Sequence, residues 1–420
     1  MPAPQALERR TCRVCECTSL RPVLSLGDLC VSGFPTEEEA GSERAPLDLV
    51  LCDPSSGGCG LVQLRHTVAP ELLYRHYWYR SVTNEAMRRA LADITARAED
   101  VASLQRGDLV LDIGCNDGTL LRSYRTAGVK LCGFEPAKNL VMFARQGTDV
   151  IVNDFFSARA FQDAFGAEKA KVITTIAMFY DLEDPNTFVA GIRECLADDG
   201  LWINQMASLP LMLEMNAFDN ICHEHLEYYS LTVLAELYRR HGLTIVDVET
   251  NDVNGGSFRV FARKAERAGD VGFGSARVDA MLHFEQRLAL NTHAPYDAFA
   301  QRVETAKAEL LEFLEKELAA GRRIYGYGAS TKGNTLLQYY GVDTRLVPAI
   351  ADRNPEKWGR RTAGTQIPIV SEEQARADRP DYFLALPWHF MGAFREREAD
   401  FLTEGGRFLV PLPRVKILGR

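Results

Sequence analysis

Four cysteines near the start of the chain are spaced to hold a soft metal ion. Cys12 and Cys15 form a C-x-x-C, and Cys52 and Cys59 bound the turn Cys52-Asp53-Pro54-Ser55-Ser56-Gly57-Gly58-Cys59. Two thiolate pairs on turns predict a closed tetrahedral site, for which zinc is the natural occupant. A module this small has little core of its own, so metal binding would supply folding energy. Cys17 and Cys30 are substitute ligands. A redox role fits less well, because no βαβ context surrounds the pair.

The second chemical signal is Val110-Leu111-Asp112-Ile113-Gly114-Cys115-Asn116-Asp117-Gly118. An apolar strand ends in an acid, followed by a glycine turn and a helix. Gly114 and Gly118 allow the backbone to approach a ligand and take positive φ. In a doubly wound sheet the ligand sits outside the carboxyl ends of the strands. The G-x-G-x-x-G of a dinucleotide site is absent, and Asp112 and Asp117 would repel a pyrophosphate. A cation without phosphate fits better, and S-adenosylmethionine (SAM) is one. Glu135 ends the next strand, where a carboxylate can accept both ribose hydroxyls, and Asp154 is placed to accept from the adenine amino group. The segment, with Asn116 on its turn, resembles the D-x-G-x-x-x-G motif of class I methyltransferases. That resemblance extends to Ala177-Met178-Phe179-Tyr180-Asp181-Leu182-Glu183-Asp184-Pro185, the loop that flanks the methyl donor in such proteins.

A third run, Phe218-Asp219-Asn220-Ile221-Cys222-His223-Glu224-His225-Leu226-Glu227-Tyr228-Tyr229-Ser230, packs acids, bases and phenols together. Its spacing is not H-E-x-x-H, so a catalytic zinc is not expected there. A general base is, since histidine titrates near neutral pH and an adjacent carboxylate can orient it.

The cysteine module, the methyltransferase core, this run and Asn254-Gly255-Gly256-Ser257 occur together in the sugar C-methyltransferases of antibiotic biosynthesis. The chain resembles that family over nearly its whole length. The resemblance implies SAM-dependent methylation at C3 of a dTDP-4-keto-deoxysugar, with His225 as base, assisted by Glu224. It also implies a catalytic tyrosine from the segment after the cysteine module, here Tyr79, with Tyr77 its near rival. His223 and Asn254 fall among the implied substrate contacts. One departure stands out: the family often has a tyrosine just before the His-Glu-His triplet, and here that position is Cys222. Either the substrate differs or His225 carries the proton alone.

A second glycine loop, Tyr325-Gly326-Tyr327-Gly328-Ala329-Ser330-Thr331-Lys332-Gly333-Asn334, follows a strand and opens a helix. It is neither a full dinucleotide fingerprint nor a Walker loop. A glycine turn at a helix N-terminus is still an anion seat. Ser330, Thr331, Lys332 and Asn334 are expected to hold the pyrophosphate of a nucleotide sugar. Asp352-Arg353-Asn354-Pro355 and Leu386-Pro387-Trp388-His389 end later strands and could add contacts.

The elements that must position these groups are legible in outline. A chain of 420 residues predicts two or three domains. The reading is α/β: an N-terminal zinc-binding module (1–70), a central class I Rossmann-like methyltransferase domain (71–265), a helical connector (266–320) and a C-terminal Rossmann-like α/β domain (321–420). The module is expected to be loop-rich, with short strands. Central strands are expected at Leu109–Ile113, Leu131–Glu135, Val172–Ile176, Gly200–Gln205, Thr244–Glu249 and Phe258–Ala262, the last two forming an antiparallel edge. Those of the C-terminal unit are expected at Arg323–Tyr327, Val347–Ala351, Tyr382–Leu386 and Arg407–Val410.

A net charge of −9 argues against nucleic acid or an anionic membrane as partner. With no apolar run long enough to span a bilayer and no signal-peptide core, a cytoplasmic location is expected. Two other readings compete: an NAD(P)-dependent nucleotide-sugar oxidoreductase or epimerase using the second glycine loop, including a methyltransferase that also reduces the ketone, and a noncatalytic zinc-containing scaffold.

Overall fold

The computed structural model describes residues 6–31, 33–37, 43–74, 79–83, 85–270 and 275–419; Tyr77 and the side chain of Asn254 lie outside the described residues. The central sheet has seven strands in the order Leu243–Asn251, Ser257–Lys264, Leu196–Ala207, Ala170–Ile176, Leu109–Ile113, Lys130–Phe134 and Val150–Val152. The last five in that order are parallel, and the first two pair antiparallel with their neighbours. All six expected central strands are present, and the edge formed by the last two is antiparallel. The strand that was missed, Val150–Val152, has three residues, too few to display a period. Leu109–Ile113 is buried at every position, as a central parallel strand must be. From it the chain moves out through Lys130–Phe134 and Val150–Val152, then returns on its other side at Ala170–Ile176. That reversal opens a crevice beside the acid–glycine turn.

The first part of the chain departs from expectation. Leu20–Cys30 and Arg44–Cys52 are strands of 11 and 9 residues, not short ones. Pro22 and Gly27 break the sequence alternation, and register shifts beside them absorb the breaks. These strands join Val62–Leu64 and, from far along the chain, Glu227–Tyr228 in one four-stranded antiparallel sheet. The segment just after His225 is therefore an edge strand of the cysteine module's sheet.

The C-terminal sheet runs in the order Ile369–Ser371, Ile350–Asp352, Ile324–Tyr327, Tyr382–Ala385, Arg407–Val410 and Lys416–Leu418, parallel except for the last pair. The helix Ala294–Ala319 buries Tyr296, Phe299, Val303, Ala306, Leu310 and Leu314, at spacings of three and four. These side chains share one apolar cluster with Leu26 and Leu49 of the first sheet, Phe218 and Ile221 of the central run, and Leu336 and Leu384 of the C-terminal unit. That common core clamps the three parts around the site. Among the described residues no helix is long and apolar enough to cross a membrane.

Candidate active site

The cysteine turns meet as the spacing predicts. Cys12 Sγ lies 3.6 Å from Cys59 Sγ, Cys15 Sγ lies 3.4 Å from Cys52 Sγ, and the four sulfurs fall within 4.8 Å of one another. Zinc–sulfur bonds of about 2.3 Å at tetrahedral angles put sulfurs about 3.8 Å apart, so the cluster fits zinc. The N–H groups of Cys15 and Cys59 donate to Cys12 Sγ and Cys52 Sγ, which favours thiolates. Gly58 closes the second turn, where a Cβ would lie 2.6 Å from Cys52 Sγ. Cys17 and Cys30 stand outside the cluster.

Between Cys12 and Cys15, the buried Arg13 reaches inward. Its Nη1 donates to the Leu64 carbonyl and its Nη2 to Thr67 Oγ1, each at 2.7 Å. Its Nε donates to Glu183 Oε2 at 3.2 Å, on the loop after the fourth strand.

At the crevice of the central sheet, Asp112 Oδ1 accepts from Thr174 Oγ1 at 2.6 Å, and Glu135 accepts the N–H groups of Asn116 and Ala137 at 2.7 Å each. Both carboxyls are buried. Each is raised to about 7, by burial above all, with the charge of Glu135 contributing at Asp112 and that of Asp117 at Glu135. Buried acids raised by one another suit a positively charged ligand, whose arrival would restore their charge. This is the chemistry of SAM, a sulfonium and an ammonium on one molecule. Gly114 and Gly118 take φ of 74° and 77°, and the left-handed conformation extends to Asn116 (52°) and Ala177 (54°). Such strain in residues other than glycine gathers at ligand sites.

Ala177 N–H is held by the Gln205 carbonyl at 2.8 Å. Asp154 is exposed, and its Oδ1 accepts the N–H of Phe155. Tyr79 is 38% exposed, and its carbonyl accepts from Asn116 Nδ2 at 3.0 Å. That contact ties the backbone of Tyr79 to the glycine turn.

His225 is fixed from one side. Its Nδ1 faces the Asn220 carbonyl at 2.8 Å, so Nδ1 carries the proton and donates, leaving the lone pair on Nε2. The Tyr180 ring meets the imidazole edge-on with centroids 4.4 Å apart, and Leu226 N–H donates to the Tyr180 carbonyl at 2.8 Å. Burial, with the charge of Lys332 adding, lowers His225 to about 3, so the ring is neutral in the physiological range.

Two acids flank it. Glu224 Oε2 and Asp181 Oδ1 are cut off from solvent with no hydrogen-bond partner among the described residues. Burial raises both, and the charge of Glu224 raises Asp181 further. Tyr74 donates its hydroxyl to the Glu224 carbonyl at 2.8 Å, which brings a tyrosine from the segment after the cysteine module to the triplet. His223 is buried, with Nε2 bonded to the Ala45 carbonyl at 3.0 Å. It locks the run to the first sheet, and that ring nitrogen is not open to a ligand.

The second glycine loop carries bonds of its own. Ser330 Oγ accepts Gly333 N–H at 3.0 Å as the cap of helix Thr331–Tyr340, and Ala329 N–H donates to Asp352 Oδ2 at 2.7 Å. Two N–H groups of the loop are thus taken, one of them by a carboxylate. Thr331 is the first residue of that helix and Lys332 the second. Asn334 Nδ2 donates to the Gly33 carbonyl at 3.0 Å, while its Oδ1 is buried without a partner among the described residues.

The loop nonetheless lies against the central run. Trp388 Nε1 donates to Asp219 Oδ2 at 3.0 Å, and the Phe218 and Tyr340 rings stand 5.1 Å apart. Gly255, on the hairpin end of the central sheet, has φ of 87°, and a Cβ there would lie 3.3 Å from the Trp388 ring. Sequence reading passed over Tyr74, Asp181 and Asp219 as site residues. The signal available for Asp219 was its place in the run that leads to the His-Glu-His triplet.

Matches to known proteins agree with this geometry. Family models match three successive stretches: a zinc binding domain over residues 12–74, a methyltransferase domain over 83–248 and a C-methyltransferase C-terminal domain over 252–413. The protein is a SAM-dependent methyltransferase with an N-terminal zinc site. C-methyltransferase NovU of Streptomyces niveus is 34% identical over 411 residues, covering 97% of this chain and 96% of that protein. The chain belongs to this family of C-methyltransferases. The ubiquinone biosynthesis O-methyltransferase of Glaesserella parasuis serovar 5 (strain SH0165) is 26% identical over 125 residues, 26% of this chain and 52% of that one. Among solved structures, magnesium protoporphyrin IX methyltransferase (ChlM) from Synechocystis PCC 6803 with bound SAH is 14% identical with a TM-score of 0.34, covering 43% of this chain and 87% of that one.

Proposed function

We propose that the enzyme methylates C3 of a dTDP-4-keto-deoxysugar through an enolate. The observation that carries this reading is the fixed tautomer of His225, whose Nδ1 is held by the Asn220 carbonyl. A carbon next to a ketone is made nucleophilic by removing its proton, and Nε2 of a neutral imidazole is a fit acceptor. SAM supplies the electrophilic methyl. His225 Nε2 takes the proton, and the C–H electron pair enters the enolate. The carbon then attacks the methyl, the S–CH3 pair returns to sulfur, and the proton leaves the imidazole for solvent. Glu224, next to His225 in the chain, assists the base. Glu135 and Asp112 hold the donor, and Asp154, Asn116 and Ala177 complete that side.

The test is incubation with methyl-labelled SAM and a panel of dTDP-4-keto-deoxysugars, with NMR assignment of the labelled carbon. Label appearing on oxygen, or on no sugar of the panel, would refute the reading.

A further inference from the structure

Several side-chain atoms cut off from solvent lack a hydrogen-bond partner among the described residues, and they lie on segments that converge between the central and C-terminal parts. They are Asp181 Oδ1, Asp219 Oδ1, Asn220 Oδ1, Glu224 Oε2, Asn334 Oδ1 and His389 Nδ1. The convergence is fixed by the Trp388–Asp219 hydrogen bond, the Phe218–Tyr340 contact and the Tyr180–His225 contact. Asp219, Asn220 and Asn334 expose no more than 3% of their surface. A buried polar atom left unpaired is costly, so a cluster of them marks a site for a polar ligand.

Lys332 lies on the first turn of helix Thr331–Tyr340, two residues before Asn334. Its charge acts on Asp219 and Cys222, on the base His225, and on His389 of the C-terminal part. We propose that Lys332 is a catalytic residue, whose ammonium binds the ketone oxygen of the sugar and stabilises the enolate as His225 takes the neighbouring proton. This role rests on the ketosugar reading above.

Three observations favour it over a pyrophosphate contact. The loop N–H groups that would help seat a phosphate are already bonded to Ser330 and Asp352. Burial raises Asp181, Asp219 and Glu224, so these surroundings disfavour charge, which suits a ketone, neutral until its proton is removed. A fixed cation there strengthens its hold only as charge develops, which is the condition for accelerating the step. Finally, one ammonium acting on both His225 and the ketone oxygen disfavours a resting imidazolium, so the base stays unprotonated.

The test uses dTDP-4-keto-6-deoxyglucose in D2O with S-adenosylhomocysteine present, and follows by NMR the exchange of protons next to the ketone. Lys332→Met should slow exchange, and methyl transfer with SAM, by about 10²–10³-fold, the range for losing one oxyanion donor. Affinity for dTDP alone, measured by calorimetry, should match the wild type. The double variant Lys332→Met/Asp219→Asn removes both charges, guards against misfolding from an unpaired Asp219, and should be equally slow. Weakened dTDP binding with normal exchange would make Lys332 a pyrophosphate anchor and overturn the proposal. Recovery of activity in the double variant would reduce Lys332 to a neutraliser of Asp219 and also overturn it. No exchange by the wild-type enzyme would instead sink the ketosugar reading, and this role with it.

Discussion

The guanidinium of Arg13 lies 3.8 Å from the carboxylate of Glu227, and neither side chain exposes any surface. Arg13 sits inside the first pair of zinc ligands, and Glu227 follows His225 by two residues. The zinc turn and the His-Glu-His run are thus joined by a buried ion pair as well as by the pairing of Glu227–Tyr228 with Val62–Leu64. The same arginine holds Glu183, on the loop flanking the methyl donor.

Arg13→Met should therefore destabilise the protein by about 3–5 kcal/mol, because it breaks a buried pair and leaves the Leu64 carbonyl without its guanidinium donor. Arg13→Met/Glu227→Gln should recover part of the loss. Urea unfolding of the three proteins checks this, and additive losses in the double variant would show that the two residues are not coupled.

Metal analysis should find one zinc per chain, and Cys12→Ser or Cys15→Ser should lose it. Because the module's sheet contains Glu227–Tyr228, hydrogen exchange in the zinc-free protein should quicken in residues 225–228 as well as in the cysteine turns. Protection unchanged at 225–228 would uncouple the metal from the His-Glu-His run.

SAM affinity should rise with pH. Asp112 and Glu135 sit near 7 in the free protein, so a large part of each is protonated at neutral pH, and the cation favours the ionised forms. Below that value a proton must leave as SAM binds. The apparent affinity should fall by up to about tenfold per group for each pH unit below 7. Calorimetry at pH 6 and pH 8, in buffers of different ionisation enthalpy, reads both the affinity and the released protons. A pH-independent affinity would mean the carboxyls do not face the ligand.

Glu135→Gln and Asp112→Ala should each weaken SAM binding, by about 10–100-fold where a hydrogen bond to a charged group is lost. Melting temperature without SAM separates this from damage to the fold.

His225→Asn should lower turnover by about 10²–10⁴-fold and leave SAM affinity unchanged. Since His225 is held down to about 3, its neutral form is complete well below pH 6.5. The acid limb of wild-type turnover should thus lie below the usual histidine range. A limb near 6.5 that vanishes in His225→Asn would show that the free ring is not held down as the structure indicates.

Local chemistry could be read directly from the chain. The two cysteine pairs, the acid–glycine turn after Leu109–Ile113 and the His-Glu-His run each depend on residues a few positions apart. The doubly wound order could be read because strand, turn and helix leave distinct periods in sequence. The long strands Leu20–Cys30 and Arg44–Cys52 could not, since Pro22 and Gly27 erase the alternation that register shifts then restore.

What the sequence alone determined was the set of reactive groups and the zinc, methyl-donor and base chemistry they permit. Which groups meet was decided by tertiary structure. Glu227 pairs with a strand some 160 residues earlier in the chain, Trp388 reaches Asp219, and Asn334 reaches Gly33. Such contacts carry no local signature. They arise when separate apolar faces bury one another in a common core, and that burial, not the spacing of any motif, decides which polar side chains are sealed in beside the base.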